Sequence, residues 1–116
     1  MTEVIVPYLK DDIELQRGGD WHETITAYED DGVTPKDTTD WTLTMIITKS
    51  ANGEELDRLE TDGTRIINTP ASGQFNLNLT AAEVDAYPWQ AAIYRMVLEY
   101  DTGDKQIVRM GAVRVV

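Results

Sequence analysis

Trp41-Thr42-Leu43-Thr44-Met45-Ile46-Ile47-Thr48 is the stretch on which the reading of this chain turns. Trp41, Leu43, Met45 and Ile47 fall on one side of an extended backbone and Thr42, Thr44 and Thr48 on the other, the period of two that side chains follow on a pleated strand. A strand that is apolar on one face and polar on the other suits an antiparallel sheet with one side against a core. The same alternation recurs downstream. Phe75, Leu77 and Leu79 alternate with Gln74, Asn76 and Asn78, and Tyr94, Met96, Leu98 and Tyr100 alternate with Ile93, Arg95, Val97 and Glu99. Weaker runs span residues 3–7, 12–16, 21–28, 64–67, 105–110 and 112–116.

Turn chemistry separates these runs. Arg17-Gly18-Gly19-Asp20, Asp30-Asp31-Gly32, Ala51-Asn52-Gly53, Asp62-Gly63, Ser72-Gly73 and Thr102-Gly103-Asp104 each offer a glycine where a tight turn needs it. One segment departs from period two: Thr80-Ala81-Ala82-Glu83 is a capping box, and Val84-Asp85-Ala86-Tyr87 continues it until Pro88 ends it. A short helix near residues 80–87 is therefore predicted. It would carry the chain from the strand ending at Leu79 to one beginning near Ala91, from one sheet to the other. The fold class is all-β, an antiparallel β-sandwich of about seven to nine strands with one short helix. Residues 12–116 form the sandwich, and residues 1–11 form an N-terminal segment that is a docking arm or a first strand.

The chain has 116 residues and is 41% hydrophobic, enough for one core. Ten Lys and Arg against 21 Asp and Glu give a net charge of −11, which disfavours nucleic acid and anionic membranes as partners. No apolar run approaches the roughly 18 residues of a membrane helix, and the N-terminus lacks signal-peptide features, so synthesis in a cytoplasm is expected. The chain has no cysteine, which rules out disulfides, thiolate metal sites and a Cys nucleophile.

Residues for catalysis are scarce. His22 is the one histidine, and Ser50 and Ser72, the two serines, both sit beside turns outside any Gly-x-Ser-x-Gly setting. Paired acids such as Asp11 with Asp12, or Glu54 with Glu55, point to opposite faces of a strand and suit solvated charge better than glycosidic chemistry. Glu29-Asp30-Asp31-Gly32 groups hard oxygen ligands for calcium but lacks EF-hand spacing. No phosphate-cradling glycine pattern is present. No enzyme activity, cofactor or metal is expected. Among the aromatics, Trp41 continues an apolar face and reads as core. Tyr87 and Trp89, at the helix-to-strand junction, are interface candidates that could also stack against a sugar ring. Val4, Val6 and Tyr8 in the N-terminal segment are the other interface candidates, able to add a strand to a neighbour's sheet.

The order of segments carries a resemblance. Asp37-Thr38-Thr39-Asp40-Trp41 leads into the Met45-Ile46-Ile47 strand, followed by Leu56 to Glu60, Asp62-Gly63 and Ile66-Ile67. Next come Gly73-Gln74-Phe75-Asn76-Leu77-Asn78-Leu79-Thr80-Ala81-Ala82-Glu83, Tyr94-Arg95-Met96-Val97-Leu98-Glu99 and Val108-Arg109-Met110-Gly111-Ala112-Val113-Arg114-Val115. This succession resembles the small Ig-like β-sandwich structural proteins of tailed bacteriophages, similar to the N-terminal domain of siphophage baseplate upper proteins, over roughly residues 12–116. It departs from them at Asp40, where they usually carry glycine or an apolar residue. The resemblance implies an Ig-like fold and a virion structural role in the tail, baseplate, fibre adaptor or capsid decoration. Partners would be other virion proteins and further copies of the chain in a symmetric assembly. The rival function is a carbohydrate- or receptor-binding module that recognises a host surface.

Overall fold

The computed structural model describes residues 9–51 and 53–116. Within it, Thr42–Thr48 forms the strand β4, with Leu43, Met45 and Ile47 fully buried in the core and Trp41 buried just ahead of it. Antiparallel neighbours flank β4 on both sides: β8 (Ala91–Glu99) and β5 (Glu55–Leu59). Beyond β8 lies β9 (Lys105–Val115), which also takes β1 (Leu9–Lys10) and β2 (Ile13–Leu15) on its far side. These six strands make one sheet. The second sheet has three antiparallel strands in the order β3 (Trp21–Thr26), β7 (Gln74–Leu79), β6 (Ile66–Thr69).

The two sheets share one core. Leu43, Met45, Met96, Leu98 and Val113 from the larger sheet join Ile25, Ile66, Phe75, Leu77 and Leu79 from the smaller. Phe75 to Leu79 shows the predicted alternation, with apolar residues buried and Gln74, Asn76 and Asn78 half-buried on the other side. The helix α1 (Ala81–Ala86) sits where the sequence places it and bridges β7 of one sheet to β8 of the other. Its capping box is complete: the Thr80 hydroxyl accepts from the Glu83 N–H, and the Glu83 carboxylate accepts from the Thr80 N–H at 3.1 Å.

Three features differ from the expectation, and a fourth bears on how β5 packs. The runs 105–110 and 112–116 are one strand, because Gly111 continues β9 without a break. Glycine there serves close approach: a Cβ would stand 2.0 Å from the Asp11 carbonyl oxygen, so the N-terminal strand could not lie against β9 with a side chain at this position. β1 and β2 pair with β9 in parallel, so the sandwich is not antiparallel throughout. Trp21–Thr26 stops short of Tyr28, which forms a lone bridge with Pro35 instead. Finally, the register of β4 against β5 skips Leu56, an extra residue that lets Leu56 and Leu59 both reach the core despite their odd spacing.

Candidate functional site

The helix corner carries one of the two aromatic candidates in an unexpected setting. Arg17 reaches from the β2–β3 connection to the C-terminal end of α1, donating to the carbonyls of Asp85 and Tyr87 at 3.3 and 3.1 Å. It thus occupies acceptors that a helix end leaves open. Asp20 accepts from the Ala81 N–H at 2.7 Å, which ties the other end of α1 to the start of β3. With the helix fixed at both ends, Tyr87 turns inward. It is 8% exposed, and its hydroxyl donates to Asp57 Oδ2 at 2.5 Å. Trp89 is half-buried and stacks on Tyr87 with ring centroids 4.7 Å apart. Tyr87 is therefore a core residue of the corner and offers no open platform to a sugar ring, because its hydroxyl finds a carboxylate inside the fold.

Asp57 is the hub of that corner. Arg65 grips it with two guanidinium nitrogens, Nη2 to Oδ2 at 2.6 Å and Nη1 to Oδ1 at 3.3 Å, and its Nε lies 2.8 Å from Glu83 Oε2. Burial pushes the Asp57 carboxyl up, but hydrogen bonds from Arg65 and Tyr87 outweigh it and hold the group below the ordinary carboxylate range. Burial, with the Asp57 carboxylate beside it, raises the Tyr87 phenol. Three elements, β5, the approach to β6 and α1, are joined by these charges. The chemistry is that of a structural clamp: Arg65 holds both Asp57 and Glu83.

The other candidates are engaged in turns. Asp31 accepts from the Val33 and Thr34 N–H groups, both at 2.8 Å, and from the Thr34 hydroxyl at 2.5 Å; these bonds, the hydroxyl's first, lower its pKa. Glu29 pairs with Lys36 at 3.4 Å. Asp31 and Glu29 thus build the loop, and no cluster of three or more metal-ligating side chains occurs among the described residues. Exposed His22 is bonded through Nδ1 to Asn78 Oδ1 at 2.7 Å, a cross-strand pair between β3 and β7. The Ser72 hydroxyl donates to the Thr69 carbonyl at 3.2 Å. Among the described residues no helix is long and apolar enough to cross a membrane. Val4, Val6 and Tyr8 lie outside the described residues. Of the supposed arm, Leu9 and Lys10 pair with the chain's own β9.

A surface that the sequence reading passed over is the outer face of the six-stranded sheet. Ile46 is 8% exposed yet stands apart from the core cluster, because it points outward between its register partners Arg58 and Arg95. Around it, Ile93 and Val97 of β8 are half-buried, and Ile107 and Met110 of β9 are 42% and 38% exposed. Register sets these residues in adjacent rows: Val97 beside Ile107, Arg95 beside Met110, Ile93 beside Ala112. The signal was in the sequence. The solvent side of the β8 alternation contains Ile93 and Val97 on either side of Arg95.

No protein-family model matches the chain, and no curated protein matches it. Solved structures do. An Ig chain from the complex of titin M10 with obscurin-like 1 is 15% identical, with TM-score 0.50, covering 100% of this chain and 96% of that one. The chain is an Ig-like β-sandwich. A chain from the structure of Dpr1 IG1 bound to DIP-eta IG1 is 14% identical at TM-score 0.49, covering 100% of this chain and 98% of the other. Drosophila OTK extracellular domains 3–5 give 14% identity at TM-score 0.44 over 99% of this chain and 35% of that one. Identities this low speak to fold alone. The Ig-like arrangement also explains β1 and β2: the orders β2-β9-β8-β4-β5 and β3-β7-β6 are two sheets packed face to face with the first strands crossing to the last. Antibody domains tie the sheets with a disulfide beside a buried tryptophan. Here Ile25 on β3 and Met96 on β8 contribute aliphatic packing to the core, and Trp41 meets Tyr100 edge-on at 4.8 Å.

Proposed function

We propose that this Ig-like sandwich is a structural component of a tailed-phage virion, in the tail, baseplate, fibre adaptor or capsid decoration, and that it works by docking to other virion proteins. The observation that carries the proposal is the ordered series of segments from Asp37 to Val115, which resembles the phage sandwiches and falls onto β4 to β9 in the same order. Two further features support it. Asp31, Glu29 and Asp57 are held in turns and ion pairs that build the fold, which suits a part whose task is to keep a shape. The titin–obscurin-like 1 structure is a complex between Ig domains, so a sandwich of this kind can meet a protein partner.

Immunogold electron microscopy of purified particles, with an antibody against the full chain, tests the reading. Label at a fixed position on tail, baseplate or head is expected. Label confined to the soluble fraction of the infected cell, with bare particles, would remove the virion role.

A further inference from the structure

From the outer face of the six-stranded sheet we infer that the chain pairs with a second copy of itself, face to face. The apolar centre of that face is formed by Ile46, Ile93, Val97, Ile107 and Met110, in adjacent rows of one sheet. Its charge sets it apart from the rest of the molecule. The strands turn outward Lys10, Arg58, Arg95, Lys105 and Arg114, against the carboxylates Glu14, Glu55 and Glu99. With Glu60, which follows β5 and lies 4.0 Å from Arg58 Nη1, five cations less four carboxylates leave +1 on this face of a chain whose total is −11. Two such chains repel each other through the rest of their surface, and least where both signs are interspersed around apolar side chains.

The β5 edge is less suited. β5, the outer strand on one side, carries Glu55, Asp57 and Arg58 and a bulge, devices that discourage strand-to-strand addition.

Arg95 fixes the orientation. It has no hydrogen bond or ion pair among the described residues, although it stands mid-face beside Ile46 and Met110. A two-fold axis lying in the interface along the strands would place Arg95 on Arg95. A two-fold axis across the strands at Val97 runs the two β8 strands antiparallel and sets Arg95 of each copy opposite Glu99 of the other, with Val97 and Ile107 meeting their own counterparts. The size of the patch sets the strength. The nine residues of β8 run about 30 Å, and four strands span roughly 15–20 Å, on the order of 500 Å² per copy. A standard interface buries about 800 Å² on each side, so the dimer is weak and reversible, half-formed at roughly tens to hundreds of micromolar protein.

Dimerisation in solution and residence in a virion are separate properties, and either can fail alone. Sedimentation velocity of the full chain over a concentration series reads the first. The wild type is expected to shift from monomer to dimer. Ile107→Glu is expected to remain monomeric with an unchanged thermal unfolding profile, while Ile67→Glu, exposed on the smaller sheet, still dimerises. Arg95→Glu and Glu99→Arg should each weaken the dimer at least tenfold and the double variant restore it. This charge reversal also covers the case in which Ile107→Glu fails to fold. A wild type that stays monomeric at about 1 mM, a dimer that survives Ile107→Glu, or a double variant as weak as either single one would overturn the inference.

Discussion

Arg65→Ala should unfasten the helix corner. Arg65 and Asp57 have side chains 25% and 23% exposed and are joined by two hydrogen bonds, the shorter at 2.6 Å. Removing one partner of a fully buried pair costs about 3–5 kcal/mol, whereas an exposed pair contributes about 0–1. At one-quarter exposure solvent screens part of the effect, and a loss of about 2 kcal/mol follows. For a chain of 116 residues this lowers the melting temperature by roughly 8 °C. The loss also depends on pH. Asp57 is held below the ordinary carboxylate range, so its contribution is complete above the unfolded value of about 3.9 and fades as pH falls through the folded value. Without Arg65, burial is opposed only by the hydrogen bonds from Tyr87 and the Arg58 N–H, so the Asp57 carboxyl rises and its protonation in acid relieves part of the loss. Urea unfolding followed by tryptophan fluorescence at pH 7 and pH 3.5 should show a gap between wild type and variant that narrows in acid. A gap below about 0.5 kcal/mol at pH 7, or one equal at both pH values, would refute the clamp.

Three further substitutions probe other joints. Thr80→Ala removes the acceptor for the Glu83 N–H and should cost about 1 kcal/mol in chemical denaturation. Gly111→Ala brings a Cβ to 2.0 Å from the Asp11 carbonyl; it should cost about 1–3 kcal/mol and speed amide exchange at Asp11, whose N–H donates to the Met110 carbonyl. Asp40 has φ 64°, the left-handed region, so Asp40→Gly should leave stability unchanged or raise it by up to about 1 kcal/mol, measured as the melting temperature.

Where local pattern and tertiary environment agree, the fold was readable from the residues. β4, β7 and β8 alternate because one face of each is core, and α1 announces itself because capping is a contact within four residues. What was not readable depends on partners distant in sequence. Gly111 looked like a break because glycine weakens a strand, yet Asp11, a hundred residues earlier, needs the space. Tyr87 looked like an exposed anchor because it stands beside a proline at a junction; its burial follows from Asp57 and Arg65, which reach it from β5 and the approach to β6. The acidic loop at Glu29 to Asp31 looked like a ligand cluster because spacing does not disclose that Thr34 and Lys36 have already taken its oxygens. The outer-face stripe stayed unnoticed because β8 and β9 each contribute only two large apolar residues to it, and their pairing joins them.

Quantitative mass spectrometry of purified particles from a phage-infected culture that expresses the chain tests the proposed virion role most directly. The account predicts a fixed stoichiometry against the major capsid and portal proteins: near the capsid count for a decoration protein, a few to tens per portal ring for a tail, fibre or baseplate component. Absence from the particles, with the protein abundant in the infected cell, would contradict it.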